Sequence, residues 1–251
     1  MPAVVQALAD GLVPLLGRRL VGVYLGGSYT LSDFVSASSD YDVLVVTADA
    51  LTPADLEAVG ELHQRLLHEY ADAVRLEGDY APRGLMIPQG TTAPVPLFSH
   101  GQFQADVDEI MLSADNIANI REGGITVYGP AAAEVLPYAT RDDVRAAVLE
   151  MLWEGPDDPH TEAEAASEIL GLVRSLRALE TGRPTTKSEG VVWALEHLEE
   201  SWHAVVRRAN AVRRGAAVAE GDTELRTALP TLAHDLRRFY PEASCTGDDT
   251  L

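Results

Sequence analysis

LGGSYTLSDFVSASSDYDVLVV, residues 25 to 46, sets Gly26, Gly27 and Ser28 ahead of a polar spacer and then places Asp40 and Asp42 at the head of an apolar run. The residues leading into it, LVGVYLGG, are β-branched and end in glycines, so they read as a strand entering a turn; YDVLVVTA reads as a second, buried strand. Residues two apart in a strand project to one face, which would stand Asp40 and Asp42 together. Like charges this close raise each other's pKa unless a cation holds them, and magnesium is the hard cation that takes oxygen ligands. The other reading is two solvated aspartates in a turn before the strand. The glycine turn adds weight to the first, because without Cβ atoms its backbone N–H groups, with the Ser28 hydroxyl, can approach phosphate oxygens closely. A nucleoside triphosphate carrying magnesium could touch the turn and the acid pair together.

Working outward, residues 4–19 carry amphipathic helical periodicity. LTPADLEAVGELHQRLLHEYA has a helix start, with Thr52 as N-cap, Pro53 at the first helical position and Asp55 in the first turn. AVRLEGDYAP reads as a third strand, a helical stretch follows from about 105 to 122, and ITVYGP is a candidate fourth strand. The third strand would lie beside the second and bring Glu77 to the acid pair, either to take a proton from an attacking hydroxyl or to complete a metal shell; Asp79, on the same face, is its rival. From about residue 140 the strand signals stop, and four long segments carry helical periodicity.

Composition narrows the function. The 251 residues carry a formal net charge of -20, which repels a nucleic-acid backbone and favours a cationic ligand, although an acidic surface also serves solubility. No apolar run approaches the roughly 20 residues that span a bilayer, and the arginines of the N-terminal stretch follow its apolar residues, opposite to a signal peptide, so the expectation is a cytoplasmic protein without membrane contact. The single cysteine, Cys245, excludes a disulfide within the chain. The seven histidines show no zinc spacing, and no Gly-x-Ser-x-Gly elbow points to a hydrolase. EGPDDPHTEAE is an acidic, proline-punctuated connector whose Glu154, Asp157 and Asp158 could bind an ammonium-rich ligand or simply be solvated. Trp153, Trp193 and Trp202 lie in helical segments and read as core residues.

The pattern of Gly-Gly-Ser, spacer, Asp-x-Asp on an apolar strand and a later acid-bearing strand resembles the nucleotidyltransferase superfamily that includes DNA polymerase beta. LRALETGRPTTKSEGVVWALEHLEESWHAVVRRA and GITVYGPAAAEVLP are in turn similar to the helical domain and interdomain link of the aminoglycoside adenylyltransferases that act on streptomycin and spectinomycin. The resemblance implies an α/β N-terminal nucleotidyltransferase domain with a mixed β-sheet, residues 1–139, and an all-α C-terminal helical bundle, residues 140–251, that binds substrate and nucleotide. It assigns Gly27 and Ser28 to the nucleotide phosphates, Asp40 and Asp42 to magnesium, and Glu77 to the general base or the metal shell. Lys187 falls on the family's lysine of the helical domain, and Arg207, Arg208, Arg213 and Arg214 fall where the family directs positive charge to the triphosphate. Members that accept streptomycin carry an aspartate directly after that lysine and a tryptophan in the preceding helix; here the positions are Ser188 and Leu176, with Glu189 one place on as a substitute charge.

The activity so implied is transfer of AMP from magnesium ATP to a hydroxyl of an aminoglycoside or aminocyclitol, by a monomer that takes a small cationic substrate between its domains. Two other readings stand beside it: a nucleotide- or cation-binding sensor without turnover, and a nucleotidyltransferase that modifies a protein or another molecule.

Overall fold

A computed structural model describes residues 1–155 and 158–238 of the chain. They form two compact units, one of residues Met1–Phe34 with Ser39–Thr140, the other of residues Val35–Ser38 with the chain from Arg141 onward.

The first unit is built on six strands: β1 (Leu20–Leu25), β2 (Tyr41–Thr47), β3 (Leu76–Pro82), β6 (Leu97–Ser99), β7 (Gln102–Gln104) and β8 (Ile125–Tyr128). Their order is β7-β6-β3-β2-β1-β8. Only β2 and β3 run parallel; the other neighbours are antiparallel, so the sheet is mixed as the sequence implied. A two-stranded ribbon, β4 (Met86–Ile87) and β5 (Gly90–Thr91), stands apart. Alternation along β2 divides the core. Tyr41, Val43 and Val45 face one side, where α1 (Ala3–Leu16) and α3 (Pro53–Glu69) bury Val4, Leu8, Leu12, Val59, Leu62 and Leu66. Leu44 and Val46 face the other, against Ile117 and Ile120 of α4 (Ala114–Gly123) and Val135 of α5 (Ala132–Val135).

The start of α3 is as its sequence predicts: Thr52 and Asp55 close a reciprocal capping box with Pro53 at the first position. Asp55 also forms a two-pronged ion pair with Arg19, and that hydrogen bonding holds its carboxyl at about 2, well below the ordinary 3.8. The expectation of a helix from about 105 is corrected. Residues 97–104 form the β6–β7 hairpin, and α4 begins only at Ala114, where the Asn116 side chain accepts the Ser113 N–H at 3.1 Å. Strands of three residues are too short to show a period in sequence.

The second unit is helical: α6 (Arg141–Glu154), α7 (Glu162–Thr181), α8 (Lys187–His197), α9 (Glu200–Arg213) and α10 (Glu224–Arg237). Apolar almost all round, α7 buries Ala165, Ile169, Leu170, Val173, Leu176 and Leu179 and so occupies the centre. Its Glu162, only 4% exposed, accepts the N–H groups of Leu225 (2.9 Å) and Arg226 (3.0 Å), which satisfies the open first turn of α10. Thr161 and Thr186 cap α7 and α8 through reciprocal boxes with Glu164 and Glu189. No helix among the described residues is long and apolar enough to cross a membrane.

Candidate active site

The glycine turn follows β1 directly. The Gly26 N–H donates to the Asp42 carbonyl (2.8 Å), tying the turn to the first residues of β2. Gly27 has φ +64, and a Cβ there would run into the Asp42 carboxylate, so both the backbone conformation and the available space require glycine. Ser28, expected in the turn after the strand, lies in the short helix α2 (Gly27–Thr30). The Gly27 N–H, expected to face phosphate, donates to Asn119 Oδ1 on α4 at 2.6 Å. The Gly27 N–H is thus engaged within the protein, and Gly27 leaves room for the Asp42 carboxylate beneath it. Asn119, 8% exposed, is a positioning residue that no sequence motif announces.

The acids lie along one sheet face. β2 starts at Tyr41, so Asp40 precedes the strand by one residue rather than standing in it. Asp42 and Glu77 are direct partners in the parallel register of β2 and β3, and Leu44 is the partner of Asp79. Alternation turns all of these toward the α4 side of the sheet. Burial pushes the Glu77 carboxyl upward, opposed by hydrogen bonds from the His100 N–H (2.6 Å) and the Ser99 hydroxyl (3.2 Å), with the Asp40 charge adding to the rise. Asp79, more deeply set, is pushed up to about 6 by burial and then by the Glu77 charge. Two carboxylates in register with a third at the strand entrance match magnesium in donor type. As they stand, no three His, Cys, Asp or Glu side chains among the described residues are gathered to hold a metal. The hairpin holds Glu77 through its Oε1, and the Asp42 carboxylate lies beneath Gly27.

In the helical unit, Lys187 is the first residue of α8, and its Nζ donates to Ser167 Oγ at 2.6 Å. The neighbouring Ser188 hydroxyl accepts from Arg213 (3.3 Å) and Arg214 (3.5 Å), so both guanidinium groups meet at the start of α8. Arg213 is only 6% exposed, and its carbonyl accepts the Ser38 hydroxyl at 2.9 Å. The other two arginines do not join them. Arg208 pairs with Asp222 at 3.0 Å, and Arg207 is exposed on α9. Glu189 accepts the Thr186 N–H at 2.8 Å, a structural duty that accounts for an acid at this position, and also lines a cavity of about 330 Å³ with Arg177, Val192, Trp193, Glu196 and His197. Trp193 stacks on His197 with ring centres 4.8 Å apart. Glu154 ends α6 and, like Asp158, is exposed; Asp157 lies outside the described residues, as does Cys245.

Residues 134–238 match the family described as aminoglycoside adenylyltransferase, C-terminal domain. The chain is 26% identical over 193 residues to a spectinomycin 9-adenylyltransferase of Staphylococcus aureus, covering 72% of this chain and 73% of that protein. These matches mark the chain as a nucleotidyltransferase similar to the aminoglycoside adenylyltransferases. Its fold superposes, with a TM-score of 0.75 and 19% identity, on the crystal structure of the Enterococcus spectinomycin adenyltransferase AAD(9) determined with ATP and spectinomycin, over 93% of this chain and 98% of that one. Both departures from the streptomycin pattern have a structural correlate. Leu176 is fully buried in the core around α7, and the Ser188 hydroxyl meets two guanidinium groups where an aspartate would have made ion pairs.

Proposed function

We propose that this protein transfers AMP from magnesium ATP to a hydroxyl of a cationic aminocyclitol, with spectinomycin as the acceptor of first choice. The in-register pair of Asp42 and Glu77 beside the Gly27 turn carries the reading, because it sets a metal-binding acid and a proton acceptor side by side on one sheet face. The spectinomycin relatives support the acceptor class, and Leu176 and Ser188 speak against streptomycin. Asp40 and Asp42 would hold magnesium, which when bound supplies the positive charge that neutralises the triphosphate. Ser28 receives phosphate oxygens, and Lys187, Arg213 and Arg214 are the cations assigned to the nucleotide. Glu77 takes the proton of the acceptor hydroxyl. The oxygen forms a bond to the α-phosphorus, the bond from that phosphorus to the bridging oxygen breaks, and pyrophosphate leaves with the electron pair. The exposed acids Glu154 and Asp158, together with Glu189, are assigned to the ammonium groups of the drug. The enzyme acts as a cytoplasmic monomer.

Incubation with ATP, magnesium and a panel of spectinomycin, streptomycin, kanamycin and hygromycin tests the proposal. The expected result is pyrophosphate and an AMP adduct of spectinomycin, absent in Asp42→Asn. ATP binding without product from any acceptor would overturn the transfer reading in favour of a nucleotide sensor.

A further inference from the structure

Glu77 does not present two equivalent oxygens. Both hydrogen bonds it receives, from the His100 N–H at 2.6 Å and the Ser99 hydroxyl at 3.2 Å, end on Oε1. Both donors sit at one turn. β6 and β7 are joined by His100 and Gly101 alone, and the pairing of Ser99 with Gln102 closes a two-residue hairpin. His100 has φ +50 and Gly101 φ +72, the doubly left-handed geometry of the tight turn that matches strand twist. Residues other than glycine are uncommon in that conformation, and histidine is among those that adopt it more readily. The turn is anchored from beneath by the Gly101 N–H, which donates to the Leu76 carbonyl at 2.9 Å, one residue before Glu77. Further from the sheet centre, the Gly101 carbonyl meets His63 Nδ1 at 3.1 Å, so the hairpin tip is held to α3 as well. The His100 imidazole itself stays 81% exposed, with Nδ1 3.7 Å from Oε1, beyond hydrogen-bond length.

We propose that the β6–β7 turn is a positioning device for the general base: Ser99 and the His100 main chain fix Glu77 Oε1 and thereby select Oε2 as the oxygen that meets the acceptor hydroxyl. The assignment rests on the adenylyltransferase reading for the reaction, and on hydrogen-bond geometry for the selection. A carboxylate held at one oxygen loses rotation about its last torsion, so its second oxygen keeps one direction before substrate arrives. Ser99 and His100 contact neither nucleotide nor drug in this scheme; they act through Glu77.

Three variants separate the possibilities. Ser99→Ala removes one donor, Ser99→Thr keeps it, and His100→Gly removes the imidazole while keeping the N–H and the left-handed turn. With ATP, magnesium and spectinomycin, Ser99→Ala is expected to lower kcat by about tenfold with the KM of both substrates within twofold, and Ser99→Thr to restore kcat to within about threefold of the parent, magnitudes that fit loss of one bond to a charged acceptor. His100→Gly is expected to leave kcat within threefold. An unchanged kcat in Ser99→Ala, an equal fall in Ser99→Thr, or a collapse in His100→Gly would overturn the assignment. Crystal structures of the parent and of Ser99→Ala keep the question separate from the reaction: the parent should show Oε1 on the turn, and the variant a rotated or split Glu77 carboxylate. A parent that makes no product refutes the adenylyltransferase reading, whereas a parent crystal with Glu77 turned away from the hairpin, or an unmoved carboxylate in Ser99→Ala, refutes the positioning.

Discussion

Acid should weaken the α/β unit through His63, and replacing that residue should reverse the trend. The imidazole is 1% exposed; its Nδ1 meets the Gly101 carbonyl at 3.1 Å and its Nε2 the Tyr80 hydroxyl at 2.7 Å. A carbonyl can only accept, so Nδ1 bears the proton and Nε2 accepts from Tyr80, which fixes a neutral ring. Burial holds its pKa at about 4, below the ordinary 6.5. The unfolded chain therefore binds a proton here that the folded chain refuses, and the folded state loses ground as pH falls from 6.5 toward 4. Linkage converts this to about 2 kcal/mol between pH 7 and pH 5, approaching about 3 kcal/mol at lower pH. Asp79 works the other way. Its carboxyl at about 6, against an ordinary 3.8, takes up a proton in the folded state over the same interval and returns about 1 kcal/mol. Glu77, also raised, adds in the same direction. The parent should thus be only modestly acid-sensitive, while His63→Gln, keeping the carboxylates, should gain stability from pH 7 to pH 5. The measurement is denaturant unfolding at both pH values, read by pulsed hydrogen exchange in β2 and β3 peptides. All three tryptophans belong to the helical unit, so their fluorescence gives an independent control. A difference between parent and variant pH effects below about 0.5 kcal/mol, or of opposite sign, would refute the buried neutral histidine.

Other outcomes follow from the same contacts. Asp42→Asn should lower adenylylation at least about a hundredfold while leaving the thermal midpoint within a few degrees, since it removes charge rather than packing; activity near the parent's would remove Asp42 from the site. Gly27→Ala should lose activity and cost about 1 to 2 kcal/mol of stability, because the left-handed backbone is strained and the methyl meets Asp42; calorimetry and product assay together check it. Leu176→Trp should destabilise the helical unit by about 1 to 3 kcal/mol by overpacking a fully buried position, and a drug panel should show no gain of streptomycin adenylylation. A stable variant with the parent's tryptophan emission would show that the core yields there.

Much of this was legible in the sequence because the signals were local. The apolar strand behind Asp42 and the Thr52-Pro53-Asp55 helix start each state their structure within a few residues, and each appears where expected. Placing Glu77 beside the acid pair anticipated that β3 would neighbour β2, and the structure adds that the two run parallel. What stayed hidden depends on distant partners. Nothing near Asn119 announces that its carboxamide will take the Gly27 N–H, and nothing near Arg208 that Asp222 will pair with it. The β6–β7 hairpin was missed for a related reason: His100-Gly101 carries half of a tight-turn signal, and strands of three residues supply no alternation to confirm it.

The bond from Gly27 to Asn119 also dates the site in the life of the chain. Its two ends are 92 residues apart in sequence, and β1, which carries the turn, is flanked by β8 on one side. During synthesis β1, β2 and β3 can pair as soon as residue 82 has emerged, but the turn stays unfastened until α4 and β8 follow. Closing so long a loop carries an entropic cost that early contacts do not. Acids and strands thus come first and the glycine turn last, so a nascent chain paused between them holds the carboxylates before the turn above Asp42 is fastened.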